Sequence, residues 1–269
     1  MKLRSEMKDI KATILSNVKV KGDYYKIILD AVYIAKHAKP GQFVQVRCAS
    51  GTEILFRRPF SIHRARSGKI EMLYEVVGKG TEVLSCKRSG ECVDVLGPLG
   101  NGFTLLPPST LHPSPILIAG GIGTAPLVFL AEELAKRKIK PIVLIGARTK
   151  SLILCEKDFK KAGADVKIAT DDASRGYKGF VSGLLEEVIK KGKYSQGAKV
   201  YCCGPDPMMK SIASICLKHG LKCEVSLEET MACGIGACLG CVVKLKNGEQ
   251  KLACKDGPVF DAEKLSLEQ

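Results

Sequence analysis

Two patterns of apolar positions divide the chain. Up to about residue 106, apolar residues come in short runs rich in β-prone side chains: Val18-Lys19-Val20, Tyr25-Lys26-Ile27-Ile28-Leu29, Phe43-Val44-Gln45-Val46 and Ile70-Glu71-Met72-Leu73-Tyr74. Turn pairs punctuate them at Gly22-Asp23, Pro40-Gly41, Ser50-Gly51, Ser67-Gly68 and Gly97-Pro98. Many short strands at this spacing predict a small antiparallel barrel or sandwich. Four prolines, Pro107, Pro108, Pro113 and Pro115, then predict a linker. After it the period changes. Unbroken apolar runs at Ile116-Leu117-Ile118-Ala119, Ile142-Val143-Leu144-Ile145, Val166-Lys167-Ile168-Ala169 and Val200-Tyr201-Cys202 alternate with stretches of helical spacing, at Leu127, Leu130, Ala131 and Leu134, at 184–190 and at 207–219. Strands alternating with helices predict a doubly wound parallel sheet. A last run, Cys223-Glu224-Val225, precedes a tail rich in Cys and Gly. The expected domains are 1–106, a β-barrel; 107–226, an α/β domain; and 227–269, a separate cysteine module.

Composition narrows the class. With 45% hydrophobic and 26% charged residues the chain has enough apolar material for folded cores. No apolar run approaches the ~20 residues of a membrane-spanning helix, and the first nine residues show no leader-like apolar segment. The net charge of +14 raises the possibility of a nucleic-acid partner. The Lys and Arg are interleaved with acids and only 6% of residues are aromatic, so a basic solvated surface is expected and no nucleic acid. Twelve cysteines without a leader point to a reducing, cytoplasmic setting, in which thiols or metal ligands are expected rather than disulfides.

Four of those cysteines are spaced Cys233-x4-Cys238-x2-Cys241-x12-Cys254. Three close thiolates on a glycine-rich loop and a fourth from later in the chain match the plant-type arrangement for a 2Fe–2S cluster. Gly234, Gly236 and Gly240 let the backbone turn tightly and aim N–H groups at sulfur. Structural zinc, which favours paired C-x2-C knuckles, is the alternative; here only Cys238 and Cys241 form one.

Gly120-Gly121-Ile122-Gly123-Thr124-Ala125-Pro126 follows an apolar strand and opens a helix, a setting in which a pyrophosphate can approach backbone N–H groups. Cys203-Gly204-Pro205-Asp206 occupies the equivalent place after a later strand, and Cys203 is positioned to touch a nicotinamide ring. Asp171 and Asp172 suit ribose hydroxyls and favour NAD; neighbouring Arg175 would suit a 2′-phosphate. A ligand-free strand–helix turn and ordinary surface acids remain open readings of these segments.

In the first domain, Arg57-Arg58-Pro59-Phe60-Ser61 combines a phosphate-pairing guanidinium with a turn-fixing proline and a hydroxyl. Leu73-Tyr74-Glu75-Val76-Val77-Gly78-Lys79-Gly80-Thr81 ends in a glycine turn that could form an anion nest. In this order the motifs resemble the ferredoxin–NADP reductase superfamily. With Glu228-Glu229-Thr230-Met231-Ala232-Cys233 and the Cys254-Lys255-Asp256-Gly257-Pro258 segment, the whole chain is similar to electron-transfer subunits of class 1B dihydroorotate dehydrogenases.

That resemblance implies FAD held by Arg58, Pro59, Phe60, Ser61, Leu73, Tyr74 and Glu75, with Gly80 and Thr81 at its pyrophosphate. It implies a nucleotide domain holding NAD, for which the turns above offer Gly121, Gly123, Thr124, Cys203 and Gly204, and a 2Fe–2S cluster on Cys233, Cys238, Cys241 and Cys254. It implies an oxidoreductase subunit of pyrimidine biosynthesis with no certain catalytic residue of its own. Electrons would reach it from an FMN-containing dihydroorotate dehydrogenase catalytic subunit, in a heterotetramer with two copies of each subunit and no membrane partner. The small subunit of a ferredoxin-dependent NADH:NADP oxidoreductase shares the same architecture. Its tail tends to replace the first cysteine with Asp, and Cys233 favours the dihydroorotate enzyme.

Overall fold

The computed structural model of the chain describes residues 7–49, 51, 54–105, 107, 114–191 and 197–266. Pro108 and Pro113 of the expected linker, Ser50 of an expected turn and residues 1–6 lie outside the described residues. The chain divides into two compact units. One draws on Met1–Gly102, Glu228–Val242 and Lys251–Pro258, the other on Phe103–Leu227, Val243–Gln250 and Val259–Gln269.

The first unit is an antiparallel half-barrel sheet. Its strands are β1 (Lys8–Lys21), β2 (Tyr24–Asp30), β3 (Phe43–Arg47), β4 (Arg58–Ser61), β5 (Arg64–Arg66), β6 (Lys69–Glu75) and β7 (Cys92–Leu99), in the order β4-β3-β7-β1-β2-β6-β5. Two of the expected turns join neighbouring strands, Gly22-Asp23 between β1 and β2 and Ser67-Gly68 between β5 and β6, whereas Gly97-Pro98, expected as a turn, lies inside β7, where Gly97 pairs with Lys8 of β1. Gly22, at φ +49°, sits in the two-residue connection from β1 to β2, a conformation glycine adopts without a Cβ penalty. Ile14, Ile27, Leu29, Val44, Val46, Ile70 and Met72 fill the interior with no exposed surface. Two short helices, α1 (Val32–His37) and α2 (Lys79–Cys86), cross the sheet's connections. Apolar periodicity gave no hint of either, and α2 starts on Gly78-Lys79-Gly80, where glycine's poor helix propensity argues against a helix.

In the second unit, β8 (Ile116–Gly120), β9 (Ile142–Ala147), β10 (Asp165–Thr170), β11 (Tyr177–Lys178), β12 (Lys199–Cys203) and β13 (Lys222–Ser226) run parallel. They alternate with α3 (Thr124–Lys136), α4 (Glu156–Lys161), α5 (Val181–Lys190) and α6 (Asp206–Lys218). These six strands stand in the order β11-β10-β9-β8-β12-β13. The chain therefore winds outward from β8 in one direction, then returns to β8's other side with β12. Helix α3 packs with α4, and α5 with α6. That is the doubly wound sheet expected from the alternation. Strands β14 (Val242–Lys244) and β15 (Gln250–Leu252) form a separate hairpin. The last strand, β16 (Val259–Asp261), comes from the cysteine-rich tail and lies antiparallel to β13 at the sheet's edge. Leu117, Leu127, Leu130, Val143, Phe159 and Tyr201 build the core beneath α3. The Tyr201 hydroxyl is satisfied there by donating to the Thr104 carbonyl at 2.8 Å.

Candidate functional site

The R-P-F-S segment is β4, antiparallel to β3 with Pro59 opposite Gln45 and Phe60 opposite Val44. Proline is tolerated because β4 ends the sheet. Arg57 is committed to a bidentate ion pair with Asp9, at 2.6 and 2.9 Å. Arg58 turns elsewhere. Its guanidinium donates to the Phe56 carbonyl at 2.9 Å, and its side chain runs across Gly80, where an added Cβ would stand 3.1 Å from Arg58 Nε. Gly80 is thus small because Arg58 occupies the space.

Gly80 also lies in the first turn of α2. The Thr81 hydroxyl accepts from the Val77 and Gly78 N–H groups at 3.0 and 3.2 Å and donates to the Gly78 carbonyl at 2.9 Å. This ties the entry of the helix. The first-turn N–H groups of a helix lack intrahelical partners, so α2 offers an anion the donors that Arg58's charge complements. Tyr74 on β6 is 2% exposed; it lies edge-on to Phe60 with ring centroids 5.6 Å apart and stacks on Tyr25 at 5.8 Å. Its hydroxyl donates to Asn17 Oδ1 at 3.1 Å, and burial pushes its pKa well up. Asn17 in turn donates to the Leu84 and Lys87 carbonyls at the end of α2. Leu73 is buried, while Ser61 and Glu75 are half-buried at strand ends. The residues expected around FAD therefore converge on one patch of β4, β6 and α2. Asn17 was not legible as part of it.

In the second unit the two glycine turns meet. Strands β8 and β12 are neighbours, with Ala119 opposite Cys203, so both turns leave the carboxyl ends of adjacent strands where the winding reverses. That is the crevice in which open α/β sheets bind nucleotides. The backbones touch: a Cβ on Gly123 would stand 2.3 Å from the Cys203 carbonyl oxygen, and one on Gly204 would stand 3.1 Å from Gly120 Cα. Gly121, at φ +53°, makes the turn, and the Thr124 hydroxyl donates back to its carbonyl at 3.0 Å. Cys203 is half-buried at the rim. Met208, which motif reading did not assign, packs against Gly120 and Gly204. Asp171 and Asp172 follow β10, and the Asp172 carboxylate is held below its usual range by Ser174, whose N–H it accepts at 3.0 Å. Arg175 is engaged by Glu156 at 2.8 Å.

The four tail cysteines lie in the first unit, Cys233, Cys238 and Cys241 on one loop and Cys254 beyond β15, and the loop rests on β3 through Gly234. Gly234, at φ +69°, rests on Gln45, with room for no side chain: its Cβ would be 2.6 Å from Gln45 Cγ. Cys233 Sγ accepts from the N–H groups of Ile235, Ala237 and Cys238 at 3.3–3.4 Å. Cys254 Sγ accepts from Gly236 N–H at 3.1 Å, and Cys241 Sγ from Cys254 N–H at 3.4 Å. Burial opposes ionisation of Cys233, but the N–H groups of Ile235, Cys238 and Ala237 outweigh it and bring the thiol to about 6. Cys254 is pushed up to about 12, by burial and by the adjoining Cys241. Asn101 anchors the segment after Cys254, donating to the Lys255 and Asp256 carbonyls at 3.2 and 3.0 Å.

Backbone N–H groups join the cysteines in two pairs, Cys238 N–H donating to Cys233 Sγ and Cys254 N–H to Cys241 Sγ, each at 3.4 Å. Two pairs of thiols, ringed by backbone N–H donors, suit two irons better than one tetrahedral ion. The donor set fits a 2Fe–2S cluster. Of the other eight cysteines, Cys48, Cys202, Cys216 and Cys223 are buried thiols, and burial raises Cys48 to about 11.

Known proteins match along the whole chain. Residues 228–266 match the iron–sulfur cluster binding domain of dihydroorotate dehydrogenase B, and residues 117–214 match the oxidoreductase NAD-binding domain. The dihydroorotate dehydrogenase B (NAD(+)) electron transfer subunit of Desulforamulus reducens is 46% identical over 93% of this chain and 95% of its own length. That of Fusobacterium nucleatum is 38% identical over 97% of this chain and 100% of its own.

The chain belongs to the family of dihydroorotate dehydrogenase B (NAD(+)) electron transfer subunits.

A solved structure of an NADH-dependent reduced ferredoxin–NADP oxidoreductase, described for flavin-based electron bifurcation, superposes with a TM-score of 0.85. It is 31% identical and covers 96% of this chain and 90% of its own. An Amycolatopsis cytochrome P450 reductase superposes at 0.64 with 22% identity over 79% of this chain and 66% of its own, a likeness of fold. The names of the relatives favour the dihydroorotate dehydrogenase B family over the ferredoxin-dependent one. This electron transfer subunit is an oxidoreductase subunit whose cofactors are FAD, NAD and a 2Fe–2S cluster. None of its described helices is long and apolar enough to cross a membrane.

Proposed function

We propose that the chain carries electrons from dihydroorotate oxidation to NAD⁺, with FAD on residues 1–106, NAD on 107–226 and the cluster on 227–269. The donor is an FMN-containing dihydroorotate dehydrogenase catalytic subunit, the assembly is a heterotetramer with two copies of each chain, and the setting is the cytoplasm. When bound, FAD exchanges single electrons with the cluster and a hydride with nicotinamide, so it joins two kinds of carrier that cannot exchange directly. The chain's own residues bind and orient. Arg58 and the first turn of α2, Gly80 and Thr81 included, hold the FAD pyrophosphate. Pro59, Phe60, Ser61, Leu73, Tyr74 and Glu75 shape the surface for its ring system and keep water from one side. Gly121, Gly123 and Thr124 hold the NAD pyrophosphate at the start of α3, and Cys203 with Gly204 bears on the nicotinamide. Cys233 and Cys238 take one iron, Cys241 and Cys254 the other.

The observation that carries this reading is the paired-thiol loop, lined with N–H donors and packed in the same compact unit as the R-P-F-S strand. The test is anaerobic co-expression with an FMN-bearing dihydroorotate oxidase. The expected result is a complex of two copies of each chain by native mass spectrometry, with flavin and iron–sulfur absorbance bleached by dihydroorotate and restored by NAD⁺. A chain that binds no such partner, or whose cluster dihydroorotate fails to reduce in the complex, overturns the proposal.

A further inference from the structure

Gln45 breaks a rule that the rest of the first unit obeys. It is fully buried, 0% exposed, yet neither its Nε2 nor its Oε1 has a hydrogen-bond partner among the described residues. A buried amide without partners is costly, and native proteins seldom keep one without a purpose. Its position narrows that purpose. Side chains alternate along a strand, and β3 turns Val44 to one side, where a Cβ on Gly97 would meet it at 2.7 Å. Phe43 and Gln45 take the other side. Phe43 Cε1 lies against Gly100, which also abuts the Gly257 carbonyl and Pro258 just beyond Cys254. Gln45 lies against Gly234, one residue after Cys233, with Nε2 2.8 Å from where a Cβ would stand. This face of β3 is therefore the floor of the cysteine loop, and Gln45 is the polar group in it. Its neighbour across the ladder is Pro59 of the R-P-F-S strand.

We propose that Gln45 is a positioning residue for the iron–sulfur centre: its side-chain N–H donates to a sulfur of the cluster held by Cys233, Cys238, Cys241 and Cys254 and so raises the cluster's reduction potential. The inference rests on the cluster assignment above. The physical reason is charge. Reduction adds an electron to sulfurs that already accept backbone N–H groups, and one more donor stabilises the more negative state. The backbone donors come with the loop's fold and cannot be varied by mutation. Gln45 is a side-chain donor and can. Its position on β3 makes it a point where the barrel, rather than the loop, sets how readily the cluster accepts an electron.

The test is an EPR-monitored redox titration of the full chain with its cofactors, comparing the wild type with Gln45→Met, which keeps the shape and removes the donor. Losing a hydrogen bond to a charged centre is expected to change the reduced-to-oxidised ratio at fixed potential by about tenfold. For a one-electron couple that is about 59 mV towards more negative values, with the FAD midpoint unmoved. An unchanged cluster midpoint overturns the proposal, as does a shift confined to the flavin, which would assign the amide to FAD. Pulsed EPR of the reduced wild type, labelled with 15N at glutamine side chains, keeps the test open should Gln45→Met fail to assemble. A weak nitrogen coupling is expected, and its absence overturns the proposal without any variant. A wild-type protein lacking a 2Fe–2S signal altogether would instead overturn the cluster assignment.

Discussion

Cys233, on the glycine-rich loop, and Cys254, beyond β15, are chemically identical side chains held differently. Three backbone N–H groups bring Cys233 to about 6, whereas burial beside Cys241 takes Cys254 to about 12. In protein stripped of its cluster, alkylation of Cys233 by iodoacetamide should rise through about pH 6 while Cys254 stays unreacted at neutral pH, as peptide mass spectrometry can follow. Reconstitution should protect both. Cys238→Ser should abolish the cluster's EPR signal while NADH still reduces FAD; a signal of unchanged intensity would remove Cys238 from the ligand set. Spacing alone singled out the four cysteines as a candidate set, and the fold brings them together in one unit. Gln45 was hidden, since a polar residue in Phe43-Val44-Gln45-Val46 reads as the outward face of a strand. Only the loop laid over that face shows it to be buried.

Among the elements, β1, β2, β3 and β6 of the first sheet and β8, β9, β10, β12 and β13 of the second were plain in the apolar runs, and the helices α3, α5 and α6 in the spacing of their apolar residues. The misses have two causes: β7 carries Gly97-Pro98, which reads as a turn, and the others are too short or too local to make a period. Strand β16 spans three residues, and α2 begins on glycines whose role is to admit Arg58 and expose N–H groups. The Thr81 hydroxyl makes three hydrogen bonds at the start of that helix. Thr81→Val should cost about 1 kcal/mol in a melt of the FAD-free protein, and weaken FAD retention on dilution. The glycine turns of the α/β unit are tighter. Gly123→Ala forces a methyl into the Cys203 carbonyl, 2.3 Å away, between two backbones that cannot yield cheaply. A loss of about 1–3 kcal/mol and a raised KM for NADH are expected, with FAD content unchanged.

For the molecule as a whole, the cysteine tail is shared between units. Residues 228–242 and 251–258 complete the barrel's unit, while 243–250 and 259–269 complete the α/β unit. Removing everything after residue 227 should therefore do more than delete the cluster. It uncovers the edge of β13 that β16 pairs with, and an open edge strand invites association with other chains. The truncated protein should aggregate or lose NADH affinity, read by light scattering and fluorescence quenching. A monomeric truncation with native NADH affinity would show β16 to be dispensable. Two of the basic residues behind the +14 charge are paired with acids, Arg57 with Asp9 and Arg175 with Glu156.

The alternation of the tail between units also sets an order of assembly. A ribosome delivers the chain from its first residue, so the barrel sheet and the α/β sheet are both synthesised before the residues that finish either. Cys233, Cys238 and Cys241 emerge ahead of Cys254, and β16 follows after that. Iron delivered during translation would meet three thiols without their fourth. A four-thiolate site is therefore complete only once Cys254 has been made, after the strands β1 to β13 of both sheets.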